Sequence, residues 1–163
     1  RYDFTVRSVP ICFSNRVLHN PAMPTVLYLC TGNSCRSQMA EGWTRALHGD
    51  DVTALSAGIE AHGLNARAVA VMAEANVDIS GQKSQLFSEF DPSIIDLIVS
   101  VCGHADKHCP TIPPACRKVH VPFDDPPKLA QDAKNEEEAL SHYRRVRDEI
   151  RAFVAERLPE LLA

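Results

Sequence analysis

The chain carries no apolar run approaching the length of a membrane span, no recognisable signal peptide, no internal repeat, no low-complexity tract and no surplus of basic residues. The first absence argues against a helical membrane anchor and leaves the longest apolar runs to be read as buried strands. The 17 Lys and Arg stand against 21 Asp and Glu, a formal net charge of −4 with the signs interspersed. That balance argues against a broad surface for nucleic acid or anionic membrane, so any anion must be bound locally. Without a leader, six cysteines in 163 residues that are 45% hydrophobic and 23% charged do not read as a secreted disulfide scaffold. They read as thiols in a reducing, cytoplasmic compartment. The length supports one full core and not two, so a single globular domain is expected, taken as a monomer.

Residues 1–22 stand apart, mixing Arg1, Arg7, Arg16 and Pro10 with scattered apolar residues and no clear period. They read as an N-terminal extension of added or upstream origin, with a transit peptide as the alternative, ahead of a natural start at Met23. Cys12 is then incidental. The domain proper is 23–163. From Thr25 the pattern alternates: strand 25–30, helix 37–48 closed by Gly49, strand 52–56, helix 65–76, a loop with a short helical piece over 80–92, strands 95–102 and 118–121, and a last helix from about 136 to 158. The nearly all-apolar runs at 26–29 and 97–101 suit strands covered on both faces. The fold class is α/β, a four-stranded parallel sheet flanked by helices. The last helix has Asn135 as its N-cap with Glu138 three residues on, and Tyr143, Val146, Ile150, Phe153 and Val154 on its packed face. The opposite face, with Arg144, Arg145, Arg147, Glu149 and Arg151, reads as a solvated surface.

Between the first strand and the first helix lies Cys30-Thr31-Gly32-Asn33-Ser34-Cys35-Arg36-Ser37. Gly32 lets such a loop curl so that successive N–H groups form a nest, and the helix beginning near Ser37 adds its positive end. Arg36 can hold two oxygens of a tetrahedral anion with its planar fork. The anion's centre then faces Cys30, whose thiolate the same donors favour. Cys30 is the candidate nucleophile, Ser37 a hydroxyl donor to its sulfur, and Asn33 a tie within the loop. The bland alternative is a buried cysteine before an ordinary helix cap.

Two further segments fall beyond strand ends, where open α/β sheets bind ligands. Cys102 and Cys109 flank a stretch that also holds His104, Asp106, Lys107 and His108. If 103–109 is helical, seven steps of about 1.5 Å put the two Cα atoms roughly 10 Å apart. A disulfide requires about 7 Å or less, so that pair could bond only after the segment partly unwinds. Zinc held by Cys102, His104, His108 and Cys109, or two partly buried thiols with no chemistry, are the other readings. Asp125-Pro126 offers a carboxyl group on a stiffened loop, able to deliver a proton to a departing oxygen, with Asp124 as a neighbour that would raise its pKa. A plain Asp-Pro turn is the alternative.

The loop 30–37 with Asp125-Pro126 resembles the low-molecular-weight protein tyrosine phosphatases, and more closely the thioredoxin-coupled arsenate reductases of the same fold. Cys30 through Trp43, Ser56-Ala57-Gly58-Ile59-Glu60, the Cys102/Cys109 pair, Phe123-Asp124-Asp125-Pro126 and Arg145 through Ile150 carry the likeness, which covers essentially all of 24–158. The phosphatases lack the second cysteine pair, and their acid loop usually continues Asp-Pro-Tyr where Pro127 stands here. The resemblance implies a relay. Arsenate is held by the backbone of Thr31, Gly32, Asn33, Ser34 and Cys35 with Arg36 and Ser37, and Cys30 attacks it with Asp125 assisting loss of water. Cys102 then attacks Cys30, Cys109 attacks Cys102, and thioredoxin reduces the final disulfide, with no tightly bound cofactor. A weak phosphatase activity is implied as well, and a phosphotyrosine phosphatase or a thiol redox or zinc-sensing module are the rivals. The family's potassium site matches Asn33, Glu41 and Ser56, but Gln85 stands for its aspartate. Val121-Pro122 replaces a usual Trp-Gly. Cys116 is extra, expected to pack or to scramble with Cys109, and Cys35 is expected to be open to oxidation beside Cys30.

Overall fold

The computed structural model describes residues 23–163. The expectations on residues 1–22 and Cys12 lie outside them. Strand β1 (Thr25–Cys30) has every residue buried, and it can be covered on both faces because Val26-Leu27-Tyr28-Leu29 leaves no polar edge to solvate. It pairs in parallel with β2 (Thr53–Gly58), from Thr25 opposite Thr53 to Cys30 opposite Gly58. On its other side it pairs with β3 (Leu97–Ser100), from Val26 opposite Leu97 to Leu29 opposite Ser100. The edge strand β4 (Arg117–His120) completes a parallel sheet of order β2-β1-β3-β4.

Helix α1 (Arg36–His48) packs on β1 and β2, and α2 (Ala66–Glu74) and α5 (Glu136–Ala152) pack around it. Between them are the five-residue α3 (Gly103–Lys107) and the four-residue α4 (Pro126–Leu129). The chain ends in α6 (Leu158–Leu162). The parallel sheet and its strand order of appearance are as expected. The differences are local. β3 is shorter than 95–102, although hydrogen bonds from Asp96 N to Thr25 O and from Val101 N to Leu29 O prolong its ladder by one residue each way. Residues 126–129 form a helical turn because proline is suited to a first turn, where its missing N–H costs no bond. The last helix is not uniform: residues Phe153–Arg157 form a π turn before α6.

The packed face of the last helix is as read, with Tyr143, Val146, Ile150, Phe153 and Val154 all buried. On its opposite face Arg145, Glu149 and Arg151 are exposed as read, but Arg144 and Arg147 are partly covered. Arg147 is 13% exposed and donates to Val71 O at 2.8 Å, Arg144 pairs with Glu74 and Glu137, and Arg151 lies 5.5 Å over the Trp43 ring. These guanidiniums tie α5 to α2 and α1. At its start, Asn135 Oδ1 accepts from Glu138 N at 2.9 Å, and Glu138 Oε2 accepts from Lys134 N at 2.8 Å, one residue earlier than a capping box would have it. No buried side-chain nitrogen or oxygen among the described residues lacks a partner. None of their helices is long and apolar enough to cross a membrane.

Two positions test this packing. Asn135→Ala should cost about 1 kcal/mol, seen in urea as a lower midpoint with unchanged slope. A Cβ at Gly58 would collide with the backbone of Glu60, Thr31 and Asn33, none of which can rotate away. Gly58→Ala should therefore cost about 1–3 kcal/mol or more in the same assay, because backbone must shift to admit one methyl group.

Candidate active site

The strand order reverses direction at β1, so the chain leaves the carboxyl ends of β1 and β3 toward opposite sides and opens a crevice between them. Cys30 is the last residue of β1, and Cys102 comes two residues after β3. The loop between Cys30 and α1 is shaped by where its carbonyls go. Cys30 O accepts from Ile59 N (3.2 Å), Thr31 O from Glu60 N (2.8 Å), Gly32 O from His62 N (2.9 Å) and Ser34 O from Asn65 N (2.9 Å). Asn33 O accepts from Gln38 Nε2 at 2.9 Å. A planar trans peptide carries its N–H opposite its carbonyl. With these carbonyls bonded on the outside, the N–H groups of residues 31–35 are left to the other side of their peptides. A cleft of about 480 Å³ beside the loop is walled by Thr31, Gly32, Ser34 and Cys35 together with Cys30, Arg36, His62, Asn65, Asp125 and Pro127.

Cys30 is 4% exposed, and its sulfur lies 3.0 Å from Ser37 Oγ. Ser37 Oγ accepts from Asn33 Nδ2 at 3.0 Å, which leaves its own proton to point at the sulfur. Asn33 and Ser37 are wholly buried and stand behind the loop, not on the cleft wall, so they brace it. Asn33, with φ of 46°, takes the left-handed turn of the loop, whose curl the sequence assigns to Gly32. Gly32 serves instead by lacking a Cβ, which would collide with the His62 ring.

Arg36 is 13% exposed on its side chain and already oriented: Nη2 lies 3.2 Å from Asp125 Oδ1, and Nη1 donates to Phe123 O at 3.0 Å. The acid loop thus reaches the anion loop through one guanidinium. Phe123 in turn meets Phe153, the first residue of the π turn, edge to face at 6.1 Å. Asp124 turns to a different partner. Its carboxylate is paired with Arg145 at 2.9 Å, and that pair lies on the exterior.

Cys102 is the N-cap of α3, 6% exposed, with Ala105 N donating to its sulfur at 3.4 Å and Thr31 Oγ1 3.3 Å away. The second thiol therefore sits against the residue that follows Cys30. Cys109 lies past the far end of α3, half-buried, and burial raises its pKa. The five described cysteines are all free. Burial pushes the Cys35 thiol well above its usual range, which together with 4% exposure opposes the oxidation expected there. Cys116 is buried at the start of β4, and burial raises its thiol too, with the nearby Cys109 adding to the effect.

Neither metal reading finds a donor set. His104 and His108 stack on each other at 4.2 Å, and among the described residues no three His, Cys, Asp or Glu group as for a metal ion. At the potassium-site positions every oxygen is engaged by the protein. Asn33 Oδ1 accepts from Gln38 Nε2 and Gln85 N, Ser56 Oγ donates to Glu41 Oε2, and Arg45 Nη2 meets Glu41 Oε1 at 2.5 Å. Burial raises the Glu41 pKa, against the pull of Arg45 and Ser56. Its charge is met by a guanidinium, and the residues as arranged do not fit a potassium ion.

Sequence reasoning missed the segment 59–65 that straps the loop, and the His62–Glu60 pair (2.5 Å) beside it. The one local signal was Gly63, which has φ of +82° and marks a turn there.

Comparison with known proteins agrees with this geometry. The family model for low molecular weight phosphotyrosine protein phosphatase matches residues 25–162. An arsenate reductase of Bacillus licheniformis is 50% identical over 129 residues, 77% of this chain and 88% of that protein. Arsenate reductase 2 of Staphylococcus epidermidis is 44% identical over 130 residues, 80% and 92% of the two chains. Among solved structures, an arsenate reductase in the phosphate binding state superposes with a TM-score of 0.66 at 28% identity, over 85% of this chain and 98% of that one. A low molecular weight protein tyrosine phosphatase from T. tengcongensis gives 0.67 at 26%, over 84% and 99%. The chain belongs to the low-molecular-weight phosphotyrosine protein phosphatase family, among relatives that are arsenate reductases.

Proposed function

We propose that the protein reduces arsenate to arsenite by passing oxidation through three thiols, Cys30, Cys102 and Cys109, with thioredoxin as the final reductant in the cytoplasm. The observation that carries this reading is a second thiol against the loop 30–37: Cys102 Sγ is 3.3 Å from Thr31 Oγ1, on the residue that follows Cys30. A phosphatase needs no thiol there.

The anion enters against the loop amides of Thr31, Gly32, Ser34 and Cys35, and Arg36 binds its equatorial oxygens with the N–H groups that Asp125 and Phe123 leave free. The Cys30 thiolate, held by Ser37, attacks arsenic, and one oxygen leaves as water on taking a proton from Asp125. Cys102 next attacks the Cys30 sulfur. The Cys30–Cys102 bond forms, the sulfur–arsenic bond breaks, and its electron pair stays on arsenic, which departs as arsenite. Cys109 attacks Cys102, returning Cys30 as a thiolate. The Cys102–Cys109 disulfide then passes two electron equivalents of oxidation to the dithiol of thioredoxin. Phosphate has the same tetrahedral charge pattern, so the first half of this sequence also supports slow phosphate-ester hydrolysis.

NADPH oxidation by thioredoxin reductase and thioredoxin should become rapid when arsenate is added to the purified protein. Cys109→Ser should permit roughly one turnover and stop with Cys30 and Cys102 joined in the peptide map; sustained turnover would remove Cys109 from the relay. Asp125→Asn should lower kcat by about 10²–10⁴, the usual worth of a placed general acid, in a single-turnover assay of Cys30–arsenic formation.

A further inference from the structure

The stretch between Cys102 and Cys109 is gripped by side chains that lie outside the anion cleft. At its centre is Asp106, in α3. Its Oδ1 accepts from Ser100 Oγ at 2.8 Å and meets Lys118 Nζ at 2.9 Å. The same ammonium donates to the Asp106 backbone carbonyl at 2.8 Å, one of the acceptors a helix leaves unsatisfied at its C-terminal end. His120 Nδ1 is 3.8 Å from Asp106 Oδ1 and 2.9 Å from Ser100 Oγ. Ser100 ends β3, and Lys118 and His120 stand in the neighbouring β4. Lys118 and Ser100 hold the Asp106 carboxyl below its usual range, so it is charged at neutral pH.

A helix of five residues has little stability of its own. Its core contact is Ala105, and few backbone bonds close it, among them Asp106 N to Cys102 O and His108 N to His104 O, each 3.1 Å. The grip on Asp106 is thus a major tether holding α3 to the sheet. That matters because Cys102 caps one end of the helix and Cys109 lies past the other. The helix ends at Lys107, short of the 103–109 considered from the sequence, but from its cap Cys102 to His108 it still rises six steps of about 1.5 Å, roughly 9 Å against the about 7 Å a disulfide allows between Cα atoms, so the approach of Cys109 to Cys102 turns on whether this turn opens.

We propose that Asp106, held by Lys118 and Ser100, is the latch that keeps α3 closed and Cys109 away from Cys102, and that its release controls formation of the Cys102–Cys109 disulfide. This rests on the three-thiol relay proposed above. In that step the Cys109 thiolate attacks Cys102, the Cys102–Cys109 bond forms, and the Cys30–Cys102 bond breaks with Cys30 leaving as thiolate, with no net electron change. A closed latch also prevents a short circuit. If Cys109 reached Cys102 before Cys102 had attacked Cys30, the pair could pass its two electrons and two protons to another disulfide, such as glutathione disulfide, without consuming arsenate.

The test equilibrates the full chain, as wild type, Asp106→Asn and Lys118→Met, in graded glutathione redox buffers, with acid quench and peptide mapping of trapped thiols. Here the Cys102 and Cys109 thiols give two hydrogens and two electrons to glutathione disulfide, releasing two glutathione molecules. Both variants should shift the equilibrium toward the Cys102–Cys109 disulfide by about tenfold, equal to about 30 mV for a two-electron couple. Glu136→Gln, which removes an exposed ion pair to Arg67 far from α3, should leave it unmoved. Lys118→Met alone decides the matter if Asp106→Asn does not fold. A disulfide that forms with unchanged equilibrium in the variants overturns the latch and leaves the relay standing. If the wild type forms no Cys102–Cys109 disulfide at any buffer ratio, latch and relay fall together.

Discussion

The set of hydrogen bonds that draws the carbonyls of residues 30–34 outward is what the rest of the site depends on. Amides turned to one side of a tight loop repel one another, and the arrangement persists only if the opposing carbonyls are satisfied elsewhere. The segment 59–65 supplies four of those donors, and it does so because β2 lies next to β1 with Cys30 opposite Gly58. Each such bond contributes about 1 kcal/mol net, while a buried carbonyl left bare would cost about 1–3 kcal/mol. The strap and the loop therefore fold together or not at all. Gly58 is the hinge of this arrangement, since three backbone atoms crowd the place where its side chain would be.

Behind the loop, the buried amide of Asn33 holds the curve. Its Nδ2 donates to Ser37 and Ser56, and its Oδ1 accepts from Gln38 and from Gln85 N, so its full hydrogen-bonding capacity is used. Ser56 extends the chain of bonds to Glu41, and Arg45 balances the charge at the end. One row of polar side chains thus links the nucleophile's hydroxyl partner, through the left-handed residue of the loop, to an ion pair on α1. Such a network rigidifies because every member is satisfied. The site is consequently shaped before any anion arrives.

The parts of this design that were legible in the sequence are those written in consecutive residues. The apolar runs at 26–29 and 97–101 announced buried parallel strands, and Cys30 through Ser37 announced a tight loop between the first strand's end and a helix. What was illegible depends on partners far away in the chain. Arg145 read as surface, which it is, but its Asp124 partner could not be read; Arg147 read as surface until α5 met α2. Phe153 read as one more core residue, with nothing local to signal the π turn that presents it to Phe123. Gly32 invited a conformational explanation, yet the constraint on it is the ring of His62, thirty residues on. Asp106 carries no signal of its own within the stretch between Cys102 and Cys109. Only the pairing of β3 with β4 brings Ser100 and Lys118 against it.

The three thiols differ in mechanical setting, and the difference follows from where the sheet ends. Cys30 terminates the central strand and is fixed by the strap, and Cys102 is fixed as a cap whose sulfur accepts from Ala105 N. Sulfur–sulfur attack requires a defined approach, so in the proposed relay two stiff thiols on adjacent strand ends would suit a first exchange, with which a third stiff thiol nearby would compete. Cys109 stands instead beyond a helix too short to hold itself, ahead of Pro110, Pro113 and Pro114, which forbid the helix to lengthen. Stiffness in β1 and β3 and weakness in α3 are thus complementary. The sheet sets Cys30 and Cys102 at the ends of adjacent strands, and the short helix, held to that same sheet by Ala105 and by the Asp106 carboxylate, places Cys109 beyond its far end.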